Sequence, residues 1–269
     1  MSTQERLSLA GELVVLTGGL GRLGQQFCSA LVECGADVAV IEHPAVAAKQ
    51  PEHPNPGAHT FPCDVCDRAD LESTLAAIQK HWGRTPTGLV NCAAIDSPPD
   101  APAEENGPFE TYPVESWENV MNVNVTGVFL CCQVFGGAMA KENKGAIVNI
   151  SSIYGILSPD QSLYEYRRAQ GQDFFKPVAY SASKSAIINL SRYLATYWGS
   201  TKVRVNTLTL AGVFDNQDDE FLDAYCKKVP LGRMADPDEY NGAVAFLLSD
   251  AARYMTGSNL VIDGGFSAW

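Results

Sequence analysis

The stretch Leu13-Val14-Val15-Leu16-Thr17-Gly18-Gly19-Leu20-Gly21-Arg22-Leu23-Gly24 decides how this chain folds. Its short apolar run predicts a strand buried on both faces. The glycine-rich turn that follows leads into an amphipathic run, Gln25 to Cys34, which predicts a helix. Gly35-Ala36 turns the chain into a second apolar run, Asp37 to Ile41, which ends on Glu42. Strand, glycine turn, helix, strand and acid together form the dinucleotide-binding unit. Gly18, Gly21 and Gly24 let the backbone approach a pyrophosphate, and a helix N-terminus attracts its charge. Leu20, Arg22 and Leu23 share that turn and are expected cofactor contacts. Glu42 stands 18 residues beyond Gly24, where a carboxylate can accept hydrogen bonds from an adenosine ribose diol. Its charge would repel a 2′-phosphate, so NAD is expected over NADP. Arg22 pulls the other way, because a guanidinium in this turn could pair with that phosphate. Glu42 is given the greater weight.

The alternation continues downstream. Strands are expected at Thr60 to Val65, Gly88 to Ala94, Ala146 to Ile150, Val203 to Thr209 and Asn259 to Asp263. Helices are expected at Asp70 to His81, around Tyr180, at Phe221 to Val229 and at Asp238 to Leu248. This order predicts an α/β chain: a single-domain Rossmann fold over 1–269, with a doubly wound parallel sheet and helices on both faces. At 269 residues and 46% hydrophobic content, one full core can be buried. The opening residues are polar and no long apolar run follows, so a cytoplasmic protein is expected, with no membrane partner. A net charge of −12 without a basic patch argues against nucleic acid. Most of the eight cysteines lie in apolar patterns, where a thiol packs as a small hydrophobe. Cys63-Asp64-Val65-Cys66 lacks a second pair, and the His43 to His59 stretch is too rich in proline to scaffold a metal. That stretch reads as a loop replacing a crossover helix, and no metal site is expected.

A second stretch supplies chemistry. Asn149-Ile150-Ser151-Ser152 ends a buried strand, and Tyr180-Ser181-Ala182-Ser183-Lys184 follows after a long interval. Tyr180 and Lys184 share one helical face. An ammonium beside a phenol favours the phenolate, so a lowered tyrosine pKa is expected. A Ser152 hydroxyl there could hold an alcohol or carbonyl oxygen in front of Tyr180. This is a proton-transfer site for carbonyl and alcohol chemistry, and the glycine-turn unit supplies its hydride carrier.

The order of motifs resembles the short-chain dehydrogenase/reductase family of the Tyr-x-x-x-Lys type. It runs from the Thr17 glycine turn through Asp64-Val65, Asn91-x-Ala93, Asn124, Ser152 and Tyr180-x-x-x-Lys184 to Asp263-Gly264-Gly265. The resemblance implies roles. Asp64 and Val65 would contact adenine, and Asn91 and Ala93 would steady the sheet and touch the cofactor. Tyr180 would be the general acid or base. Lys184 would lower the tyrosine pKa and bind nicotinamide ribose, Ser152 would polarise the substrate oxygen, and Asn124 would complete a proton relay through a water. Val213 would meet the nicotinamide amide. The family also implies a homotetramer, with the apolar end Phe266-Ser267-Ala268-Trp269 at an interface.

Three departures stand out. The glycine spacing is that of the family's extended branch. Leu210-Ala211-Gly212-Val213 replaces a usual Pro-Gly. Ser152 and Tyr180 are 28 apart, about twice the family's habit. The extra residues, about 158–176, and Phe214-Asp215-Asn216-Gln217 resemble the flagellin-modification protein A subgroup. Tyr164, Tyr166, Arg167 and Arg168 in that segment are expected to wall the substrate site, one of the two adjacent arginines pairing with a phosphate or carboxylate. A substrate flap is expected at about 213–230. The function expected is an NAD(H)-dependent oxidoreductase interconverting a small-molecule secondary alcohol and a ketone, of a sugar or sugar derivative. The alternatives are an NADP-dependent ketoacyl or carbonyl reductase and a non-catalytic dinucleotide-binding regulator.

Overall fold

The computed structural model describes residues 1–50, 53–96 and 105–269. Part of the acidic, proline-rich stretch read from Asp96 to Tyr112, and Pro51 and Glu52 of the loop after Glu42, lie outside them. Seven parallel strands form one sheet in the order β3-β2-β1-β4-β5-β6-β7. They are β1 Leu13–Thr17, β2 Asp37–Glu42, β3 Ala58–Pro62, β4 Gly88–Asn91, β5 Gly145–Ser152, β6 Val203–Leu210 and β7 Asn259–Ile262. Strand order reverses between β1 and β4, which opens a crevice at their carboxyl ends.

Alternating side chains commit each strand to two cores. Val14, Leu16, Val38, Val40, Val148 and Ile150 face the helices Arg22–Glu33 and Asn241–Leu248. Leu13, Val15, Ala39, Ile41, Ile147 and Val205 face the helix Arg68–Trp82, the helical run Val114–Lys141 and the helix Val178–Tyr197. The doubly wound architecture expected from the apolar runs is therefore present. Among the described residues, Val114–Lys141 is the one helical run long and apolar enough to cross a membrane, and half of it is buried within the fold.

Element ends move for local reasons. The first major helix starts at Arg22 rather than Gln25, because extended Gly21 (φ −70°, ψ 170°) already serves as its N-cap. Asp67 starts the Arg68–Trp82 helix by accepting from the Ala69 and Asp70 amides, and Gly83 ends it with φ 67°. The 43–59 stretch is less bare than expected. His43 Nδ1 accepts from the Ala45 amide and starts a single turn, Pro44–Ala47, with proline at its first position.

A third, smaller cluster sits off the sheet. Ile153, Tyr154, Leu163, Tyr164, Phe174, Tyr225, Val229 and Met234 bury one another beyond the ends of β5 and β6. It joins the 158–176 segment to the 213–230 segment, which contains the helix Asp219–Cys226. Ion pairs tie the two segments from outside: Arg167 with Asp218 at 2.8 Å and Lys228 with Asp160 at 2.6 Å.

Candidate active site

Two features at the ends of β1 and β4 build a cradle. Thr17 Oγ1 accepts from the amides of Cys92 and Ala93, both at 3.1 Å, which binds the strand ends together. Gly18 then turns with φ +68°, and a Cβ there would stand 2.8 Å from Ala93 Cα. A Cβ on Gly24 would strike the Gly18 carbonyl oxygen. Only glycine admits this approach of helix to turn. No described side chain caps the Arg22–Glu33 helix, so its first amides are left for a ligand. The cradle fits a pyrophosphate. Glu42, at the end of β2, accepts from the Leu20 amide at 3.1 Å and the His43 amide at 3.0 Å. Asp64 accepts from the Cys66 amide at 2.9 Å, and Val65 packs against Gly127. Arg22 is engaged by the 213–230 segment. Its guanidinium pairs with Asp215 at 2.7 Å and donates to the Phe214 carbonyl.

The proton-transfer residues converge beside this cradle. Leu23, Ser152, Tyr180, Lys184 and Val213 line one cleft of about 310 Å³. β5 carries Ser152 at its end, and the Val178–Tyr197 helix carries Tyr180 and Lys184. Two contacts hold that helix to the strand at the site: Ser151 Oγ donates to the Lys184 carbonyl at 2.8 Å, and Lys184 Nζ donates to the Ile150 carbonyl at 3.1 Å. Gly155 permits the approach, since a Cβ there would lie 2.5 Å from Ser151 Oγ. Deeper in, Asn91 donates to Asn149 at 2.8 Å and Asn149 to Ser191 at 2.9 Å.

Asn124 lies in a π-turn, Asn122–Gly127, inside the Val114–Lys141 run, so the expected break in helical bonding is there. Its side chain makes three hydrogen bonds. It accepts from the Ile95 amide at 2.7 Å and donates to the Ile95 carbonyl at 2.8 Å and to Ser183 at 3.0 Å.

Two expectations are corrected. Burial, then the Asp96 charge, raises the Tyr180 pKa above the ordinary tyrosine value; the bond to Ser152 only partly opposes this. Lys184 Nζ lies 5.7 Å from the Tyr180 ring centroid, and burial depresses its own pKa. Desolvation disfavours both charged forms and is the largest cause of each shift. Nor do Arg167 and Arg168 wall the cleft. Arg167 stacks on Phe174 and holds Asp218, while Arg168 donates to the Phe174 and Gln161 carbonyls. Tyr164 is buried against Phe174 and Phe221, and the Tyr166 hydroxyl donates to Asp218. These side chains fasten the segment to its neighbours because partners within reach satisfy them first.

The cleft also contains residues to which the sequence reading assigned no role. Asp96, Lys176 and Gln217 line it, with Cys92, Tyr154 and Tyr225. Lys176 stands four before Tyr180, but Pro177 separates it from the helix that begins at Val178, so helical spacing gave no signal for it.

A family model described as enoyl-(acyl carrier protein) reductase matches residues 21–267. The chain is a short-chain dehydrogenase/reductase. It is 34% identical over 268 residues to D-threitol dehydrogenase of Mycolicibacterium smegmatis, covering 96% of this chain and 94% of that one. It is 32% identical over 282 residues to the NADH-dependent L-xylulose reductase of Ambrosiozyma monospora, covering 96% of each. A short-chain dehydrogenase of Leptospira borgpetersenii solved with bound NAD+ superposes with TM-score 0.83 at 30% identity, covering 99% of this chain and 96% of that one. The protein is thus a nicotinamide-dependent oxidoreductase that interconverts secondary alcohols and ketones.

The raised Tyr180 pKa has a spectroscopic consequence. In the cofactor-free protein the Tyr180 phenol stays protonated up to about pH 10, where free tyrosine titrates. Near-ultraviolet difference titration of wild type against Tyr180→Phe should show no phenolate signal at neutral pH. A signal near pH 7 would mean that Lys184 controls the phenol after all.

Proposed function

We propose that this enzyme is an NAD-dependent polyol dehydrogenase. It oxidises one secondary alcohol of an open-chain sugar alcohol to a ketose and runs the reverse reduction. The observation that carries this reading is the convergence of Ser152, Tyr180 and Lys184 on one cleft beside the glycine cradle, in a chain related to D-threitol dehydrogenase and L-xylulose reductase.

A nicotinamide dinucleotide held by the Gly18 to Gly24 turn would supply the hydride acceptor for oxidation and the hydride donor for reduction. Ser152 and Tyr180 hold the substrate oxygen between them. Tyr180 takes the hydroxyl proton in oxidation and gives one back in reduction. Burial raises the Tyr180 pKa, which favours the protonated phenol in the cofactor-free site. Lys184 offers an ammonium that is free to reach a ribose hydroxyl without leaving the Ile150 carbonyl. Asn124 acts by position, fixing the Ile95 backbone and Ser183 around the Tyr180 helix. Gly18 to Gly24 would hold the pyrophosphate, Asp64 and Val65 would flank adenine, Asn91 and Ala93 set the β4 end, and Val213 would meet the nicotinamide.

Glu42 sits where a ribose 2′-phosphate would bring a second negative charge, and Asp215 neutralises the one arginine in the turn. Both features favour NAD. The 213–230 segment is read as a flap over the substrate, latched to the cradle by Arg22 and Asp215. The Val114–Lys141 and Val178–Tyr197 helices leave Phe129, Tyr193 and Tyr197 exposed, and Trp269 is exposed at the chain end. Such apolar surface suits a homotetramer. Eight free thiols suit a reducing cytoplasm.

Threitol, arabinitol and galactitol with NAD should give reduced nicotinamide by absorbance, and Tyr180→Phe should lower turnover by about a hundredfold or more. Simple alcohols oxidised while every polyol is refused would sink the polyol reading. NAD should bind more tightly than NADP by calorimetry. Glu42→Ala and Asp215→Asn should each narrow that gap, Glu42→Ala by about tenfold; equal affinities in the wild type would refute the preference. Light scattering at micromolar concentration should report the mass of four chains, and a monomer would exclude the tetramer.

A further inference from the structure

Most polar groups lining the cleft are already committed. Ser152, Tyr180 and Lys184 serve the reacting oxygen. Gln217 donates to the Val213 carbonyl and accepts from the Asp215 amide. The Tyr225 hydroxyl accepts from the Gly212 amide, and Tyr154 is bonded to Tyr164. Ser151 donates to the Lys184 carbonyl. Among the described residues this leaves Asp96 and Lys176, which grip each other: Lys176 Nζ lies 2.6 Å from both Asp96 oxygens.

The pair is built with care. Gln161 clips the Lys176 backbone at both ends, accepting from its amide at 2.9 Å and donating to its carbonyl at 3.1 Å. Arg168 closes the loop behind it by holding the Gln161 and Phe174 carbonyls. Lys176 Nζ then lies 4.9 Å from the Tyr180 ring centroid, with only 11% of its side chain exposed. Asp96 is 44% exposed. A carboxylate has about four acceptor positions, and Lys176 takes one on each oxygen. Asp96 lines the cleft, and no described residue besides Lys176 bonds its carboxylate.

We infer that the Asp96–Lys176 pair selects the substrate: Asp96 accepts the hydroxyls flanking the reacting carbon of a neutral polyol, and Lys176, held by Asp96, fixes that carboxylate in place. The inference rests on the polyol reading above. Two neighbouring hydroxyls can donate to the two free acceptor positions, which a plain alcohol cannot do. A sugar acid is refused, because its carboxylate meets Asp96 while the Lys176 charge is already neutralised. The 158–176 segment therefore acts on the substrate through the hold of Lys176 on Asp96 and not through its arginines.

The test measures KM for threitol and the inhibition constant of D-gluconate against it, in the wild type, Asp96→Asn and Lys176→Met. NAD affinity by calorimetry checks that each variant is folded. Asp96→Asn should raise the threitol KM by about ten- to a hundredfold, the loss expected for a charge-assisted hydrogen bond. It should also tighten gluconate, since Lys176 is then an unneutralised cation. Lys176→Met leaves the anion alone and should weaken gluconate. Opposite movements of the threitol-to-gluconate preference support the inference, and a purely structural role would not produce them. A preference that moves the same way in both variants, or in neither, overturns it while the polyol reading stands. Should one variant fail to fold, the direction of shift in the other decides alone. A wild type that oxidises no polyol overturns both.

Discussion

The docking of one helix on one strand governs this molecule. β5 brings Ser152 to the cleft and the Val178–Tyr197 helix brings Tyr180 and Lys184, so chemistry depends on how the two meet. A polar seam fixes the meeting. At the deep end Asn91, Asn149 and Ser191 pass hydrogen bonds from β4 through β5 to the helix. At the cleft end Ser151 and Lys184 exchange side chain for backbone across the same interface. Apolar packing alone would let a helix slide by a fraction of a turn at modest cost. Buried hydrogen bonds do not, because a displaced partner leaves a polar group without water or protein.

The cradle obeys a related constraint. Two strand ends must lie close enough for Thr17 to bridge them, and glycine must then carry the chain past Ala93 into the helix. That closeness puts the helix amides, Glu42 and the proton-transfer residues around one crevice. The rest of the cleft comes from elsewhere. Residues 158–176 and 213–230 share a small core of their own and cover the crevice from above the sheet. Their charges mostly neutralise one another, which explains why two adjacent arginines in an acidic protein do not mark an anion site.

What was legible in the sequence follows from range. The Leu13–Thr17 run, the glycine turn and the Glu42 acid interact over a few tens of residues, and their pattern fixes their geometry. The Tyr180 and Lys184 spacing is likewise local to one helix. Element ends were read less sharply: the last long helix begins at Asn241 rather than Asp238, where turns precede it. The tyrosine pKa was misread because spacing reports a neighbour but not burial, and burial is the larger effect. The Asp96–Lys176 pair was invisible for a different reason. Its members lie 80 residues apart, and only the closed loop through Gln161 brings them together.

The small core over the crevice has a consequence for how such an enzyme can change. It shares no residue with the two cores that hold the sheet. Clusters separated in this way open as units of their own, with local stability set apart from that of the whole domain. Substitutions at Leu163, Tyr164 or Phe174 therefore act first on the covering segments and on the Tyr180 ring that packs against them, while the Asn91–Asn149–Ser191 seam draws on other contacts. Evolution can remodel what the cleft recognises while the sheet and its polar seam are inherited unchanged, because the two are stabilised by different sets of contacts.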